Sequence, residues 1–249
     1  MKYSAINAKI KGMDAKLLSY EDYLGLCECV NTQDVSQKLK SYGVYPHING
    51  TGLDRDYAKI RGFINNSDIR RYLEALLLKR ESGLYYYTNL WKAQKRFLKG
   101  VNKDIATAVH GTEIDMQNII RIYRLKTHYK PMKELIYKYI LPINYKISSE
   151  MIMKMIEADN ERTLLALIKS TCYGKHFLEK QNDQESIYEA QSLVYRRVKK
   201  KYSNSIAPII CYLFKKEMEI KNITSILEGV RYSLAPHEIM NKIRIEARR

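Results

Sequence analysis

The sequence has few of the residues that interrupt helices: 5 prolines and 11 glycines among 249 residues. That scarcity argues against a turn-rich sandwich or propeller and favours long helices. The 4 cysteines (Cys27, Cys29, Cys172 and Cys211) are scattered, unlike a disulfide framework. Cys27-Glu28-Cys29 could offer two thiolates, but no Cys/His pair elsewhere has the spacing of a zinc site. Small packed thiols and no metal are therefore expected. No run approaches the ~20 apolar residues of a membrane-spanning helix. The stretch MKYSAINAKIKGMDAK has lysines every few positions and no apolar core, so it does not read as a secretory signal. The expectation is a soluble, intracellular, reduced protein whose contact with any membrane is peripheral.

Catalytic signatures are missing as well. There is no GxxxxGK[ST] or GxGxxG phosphate loop, no HExxH and no GxSxG. The five histidines (47, 110, 128, 176 and 237) lie singly, without metal-ligand spacing. Carboxylates are plentiful, but along helices they read as salt-bridged faces. Neither enzyme activity nor a cofactor is expected.

What the chain does have is 45% hydrophobic residues, enough for a sizeable core, and a net charge of +16. Such an excess points to an anionic partner or surface without naming it. Arg196, Arg197 and Lys199–Lys201 form one basic face, and Lys92, Lys95, Arg96 and Lys99 another. With no zinc finger, RNP aromatics or helix-turn-helix, nucleic-acid binding rests on charge alone.

Apolar residues recur with helical period almost end to end. Helices are expected at 68–80 with Ser67 as cap, after the break at 81–83, at 113–126, 130–140, 149–157, 161–170 and 186–202. Another is expected after Ser205, then a separate segment at 217–228 stopping at Gly229, and a last one opened by Pro236. The stretch 43–56 reads as a loop. No sustained period-2 run competes, so the fold class is all-α.

The chain also repeats itself. EIDMQNIIRI (113–122) answers EMEIKNITSI (217–226), pairing Glu113 with Glu217, Asp115 with Glu219 and Asn118 with Asn222. Both copies run into basic, aromatic tails: Arg121, Arg124 and Lys126 in one, Arg231 and Tyr232 in the other. Weaker echoes link Leu39–Gly43 to Ile168–Gly174, and Leu18–Glu21 to Ser148–Glu150. Two helical modules are expected, 1–145 and 146–249. Each asparagine lies in an apolar stripe, Ile114/Ile122/Leu125 or Met218/Ile226, where an unpaired amide would cost about 1–3 kcal/mol. Each should therefore bond to the backbone of a neighbouring helix end, and Gly229, on the same stripe, reads as a C-cap or a point of close approach.

These repeated segments, with Tyr3…Asn7-Ala8-Lys9-Ile10-Lys11…Leu17-Leu18-Ser19 and Lys221-Asn222-Ile223…Ile226-Leu227-Glu228-Gly229, resemble the C/d subunit family of rotary V-type and A-type ATPases. The resemblance implies a non-catalytic central-stalk adaptor built as a pseudo-symmetric funnel of helical modules. It implies a place at the cytoplasmic face of a membrane, with D- and F-type shaft subunits, the proteolipid ring and the membrane stator subunit as partners. The family has three modules and only two are traceable here, so a third is degenerate within 1–110 or the member is shortened. Arg121, Arg124, Lys126, Arg231 and Tyr232, which close the repeated helices, are the interface candidates. The alternative is a basic helical nucleic-acid-binding module.

Overall fold

A computed structural model describes residues 3–43, 51–77, 83–129, 131–177 and 183–244. Among them there is no strand, and thirteen α-helices follow one another along the chain. They are α1 Ser4–Asp14, α2 Tyr20–Cys27, α3 Thr32–Ser41, α4 Thr51–Phe63, α5 Ser67–Leu77, α6 Gly83–Phe97, α7 Gly100–Arg124, α8 Lys133–Tyr139, α9 Ser149–Glu157, α10 Glu161–Ser170, α11 Asp183–Lys201, α12 Ala207–Arg231 and α13 Pro236–Met240. The chain is all-α.

Several boundaries differ from the periodicity reading. The segments expected at 205–216 and 217–228 are one helix, α12, because nothing between them breaks the backbone. The helix expected at 113–126 starts at Gly100, and the last part of it, Leu125–Tyr129, widens into a π-turn. The later part of the presumed loop at 43–56 belongs to α4, which buries Tyr57 and Ile60; residues 44–50 lie outside the described residues. Asn66, not Ser67, caps α5: its Oδ1 accepts from the Ile69 N–H at 2.9 Å. Ser205 lies one residue before the cap position of α12, and its Oγ accepts from the Ala207 N–H at the start of the helix at 3.0 Å.

The chain packs into two compact units. One is residues 66–207, and the other joins the two ends of the chain, 1–65 and 208–249. These divisions fall elsewhere than residue 145, where the sequence repeat changes copy. In the inner unit α7 is the central rod, packed by α6, α9 and α11. Its Met116, Ile119, Ile120 and Ile122 form a core with Ile136, Ile152, Met155, Ile156, Leu164 and Ile168. In the terminal unit Ile226 and Val230 of α12 meet Tyr23, Leu26, Val35, Leu39 and Ile239.

The helix pairs α2–α3 and α9–α10 are built alike. Ser19 and Ser148 cap the first helix of each pair, and Asn31 and Asn160 cap the second. The same interval in sequence carries Ser19 to Ser148 and Asn31 to Asn160. It also carries the buried Tyr23, Leu26, Val35 and Leu39 to the buried Ile152, Met155, Leu164 and Ile168. Each cap satisfies helix N–H groups that have no partner within the helix.

Candidate functional site

The recurring asparagines lie on the long helices, α7 and α12, each buried on an apolar stripe. Asn118 clasps the chain just beyond α8. Its Nδ2 donates to the Leu141 carbonyl at 3.0 Å, and its Oδ1 accepts from the Leu141 N–H at 2.7 Å. Asn222 clasps the chain beyond α13 in the same way, donating to the Arg244 carbonyl at 2.7 Å and accepting from its N–H at 2.9 Å. A carboxamide carries a donor and an acceptor side by side and so can meet the N–H and the C=O of one residue together.

The paired carboxylates also occupy equivalent roles. Asp115 accepts from the N–H groups of Tyr145, Lys146 and Ile147 at 3.1, 2.7 and 3.3 Å, and from the Tyr173 hydroxyl at 3.0 Å. Glu219 accepts from the Leu18 N–H at 2.8 Å and is bonded to Lys216. Ile147 and Leu18 each precede the serine that caps the following helix, Ser148 or Ser19. Both acids are buried, and of the two only Glu219 is shown in a helix-face ion pair, with Lys216. Burial pushes the Asp115 carboxyl above its ordinary range, against the pull of its four donors. Glu113 is buried too and accepts from the Tyr87 hydroxyl at 2.9 Å, whereas Glu217 pairs with Lys221 at 3.1 Å.

The interface candidates are placed differently. Arg121 donates to the Tyr139 carbonyl at 3.3 Å, and burial lowers its pKa from the usual guanidinium value. Arg124 is exposed one turn on. Lys126 donates to the Ile156 carbonyl at the end of α9, where a cation complements the helix dipole. Arg231 and Tyr232 are exposed at the end of α12, followed by Ser233 at φ 53°.

Arg121, Arg124, Leu125 and Tyr129 join Tyr139 and Gly83 around an open cleft of about 410 Å³ within the inner unit. Sequence patterning missed this cleft because it needs the return of α8 onto the end of α7. It also missed buried His110, whose Nε2 lies 2.7 Å from the Tyr72 hydroxyl. Among the described residues no group of three or more His, Cys, Asp or Glu side chains is placed to hold a metal ion. No helix among them is long and apolar enough to cross a membrane.

Two similarities to known proteins agree with each other. The family model described as ATP synthase (C/AC39) subunit matches residues 44–242. The C subunit of the A-type ATP synthase of Methanocaldococcus jannaschii is 27% identical over 165 residues, which cover 62% of this chain and 41% of that protein. The match thus spans less than half of the relative's length. Neither similarity favours the nucleic-acid alternative.

Proposed function

Because the chain belongs to the ATP synthase (C/AC39) subunit family, we propose that it is a non-catalytic central-stalk subunit of a rotary A- or V-type ATPase. In this reading it joins the D- and F-type shaft subunits to the membrane proteolipid ring, next to the stator subunit, and so links ATP turnover to ion transport. Its place is peripheral, at the cytoplasmic face.

The observation that carries the reading is the paired asparagine clasp, Asn118 on Leu141 and Asn222 on Arg244. A coupling between rotating parts must transmit torque without shearing internally. Close-packed helices resist deformation, and a two-bond clasp fixes the chain beyond each short helix to the long helix behind it. We take Asn118/Asp115 and Asn222/Glu219 as two copies of one module's internal fastening. Arg121, Arg124, Arg231 and Tyr232 are its partner-facing residues. Lys126, bonded to the end of α9, contributes to the same junction from inside.

The test is reconstitution. The full chain, mixed with purified shaft subunits and detergent-solubilised proteolipid ring from the same organism, is expected to co-elute with both in one complex. Elution apart from shaft and ring at micromolar concentrations would contradict the proposal.

A further inference from the structure

Two basic stretches far apart in sequence meet at one end of the inner unit. Helix α6 ends with Lys95 and Arg96, Lys99 stands at the N-cap of α7, and Lys103 follows in its first turn. The end of α11, with Arg196, Lys200 and Lys201, is held beside them: α11 packs along α7, and just beyond it the Ile206 N–H donates to Asn102 Oδ1 at 3.3 Å. All of these cations are exposed, and among the described residues none is paired with a carboxylate. Asp104 is the single acid in 95–104 and 196–206. Helix α5, which reaches this end through Arg71 over the Phe97 ring, is balanced in charge, with Arg70 and Arg71 against Asp68 and Glu74. The half-buried rings here lie under their own cations: Lys95 over Trp91 and Arg96 over Phe97 at 5.4 Å, and Lys201 over Tyr202 at 5.0 Å. Val101, between Lys99 and Lys103, is 49% exposed.

We propose that this end of the inner unit is a contact surface for an anionic lipid bilayer. Lysines predominate in it, and a lysine ammonium meets a layer of phosphate headgroups as a point charge, without the fork geometry by which arginine selects a single carboxylate. Basic clusters of this size are held by the negative potential of anionic lipid, which fades within a Debye length. The start of α7, with no acidic residue in its first turn and no side-chain cap, adds to the same positive field. Val101 and the aliphatic stems of the lysines suit the headgroup layer. A nucleic-acid strand fits less well, because its bases stack on open ring faces and the rings here are covered by cations. This surface lies beyond the adaptor reading and rests on it only in having a bilayer within reach.

The test is sedimentation of the full-length chain with phosphatidylcholine vesicles that contain or lack phosphatidylglycerol. Wild type is expected to bind the phosphatidylglycerol vesicles, to ignore phosphatidylcholine alone, and to be released as salt rises. K99Q/K103Q/R196Q/K200Q should weaken binding about tenfold or more. K11Q/K40Q/K154Q/K242Q removes the same charge from exposed positions elsewhere and should weaken it by less than about threefold. K99R/K103R/R196K/K200R keeps every charge and should bind as wild type does. Equal losses in the two neutralised variants, or a wild type that ignores phosphatidylglycerol, overturn the proposal. So does binding to duplex DNA that depends on these four residues without binding to vesicles, which would make the surface a nucleic-acid one. A chain that binds vesicles through this end but does not join shaft and ring would sink the adaptor reading alone; one that joins them and ignores phosphatidylglycerol would sink this inference alone.

Discussion

The side chain of Asn118 and the main chain of Leu141 exchange two hydrogen bonds, at 3.0 and 2.7 Å, in the buried interior of the inner unit. Asn222 and Arg244 repeat that exchange in the terminal unit. An arrangement of this kind is costly to break, since removing the side chain strands both the N–H and the C=O of the residue it holds.

Asn118→Ala is therefore expected to destabilise the protein by about 2–4 kcal/mol, from two orphaned backbone groups. Asn222→Ala should cost less, about 1–2 kcal/mol, because half-buried Arg244 can turn to water. Urea unfolding of the two variants checks the order, and hydrogen exchange should show the Leu141 amide losing protection in the first.

Gly229 lies in the body of α12 where α13 approaches it. A Cβ there would stand 2.6 Å from Cγ1 of Ile239. Gly229→Ala should cost about 1–3 kcal/mol through overpacking, and with Ile239→Ala, which removes the clashing Cγ1, the double variant should lose less than the sum of the two single losses. Additive losses in thermal melts of the single and double variants would rule out this contact as the reason for the glycine.

Tyr173 donates its hydroxyl to buried Asp115. Tyr173→Phe leaves the carboxylate with one donor fewer, so the Asp115 pKa should rise further above its ordinary range. An acid whose folded pKa is raised favours folding less as pH climbs through the interval between unfolded and folded values. Unfolding measured from pH 4 upwards should show the variant's deficit widening as Asp115 ionises. A deficit independent of pH would mean that the bond to Tyr173 does not serve the charged form.

The Cys27 thiol, buried in the core of the terminal unit, is pushed up to about 11, chiefly by burial and then by Cys29 and Glu28. The unfolded chain releases this proton first, so its contribution to stability is intact below about pH 9 and is lost towards pH 11. The alkaline fall in stability should be shallower for Cys27→Ala than for wild type. Iodoacetamide at pH 8 should label exposed Cys172 well before Cys27.

Much of this was legible in the sequence, and the reasons differ by element. Helices α9 and α10 could be read because their apolar stripes are dense, whereas of the long helices the start of α7 and the unbroken run of α12 were missed. The need for the asparagines to reach a neighbouring backbone followed from placing an amide among isoleucines. Which backbone they reach was not readable, since Leu141 and Arg244 are held by carbonyl and N–H groups that every residue shares. Helix α3 escaped notice because Val35 and Leu39 are the only apolar residues of its ten. The kinship of Asn31 with Asn160 was hidden for the same reason: caps are chosen by geometry at one position, while the residues around them differ. The cleft beside Arg121 depends on the path between α7 and α8, which periodicity does not record.

The central claim is that this chain mechanically couples a rotating shaft to an ion-carrying ring. Its most direct test is ATP-driven ion uptake into liposomes bearing the complete complex, compared with the same complex assembled without this chain. Omission is expected to leave ATP hydrolysis by the catalytic head running while ion uptake falls to background, and adding the chain back should restore uptake. Full ion uptake in its absence would contradict mechanical coupling through this chain.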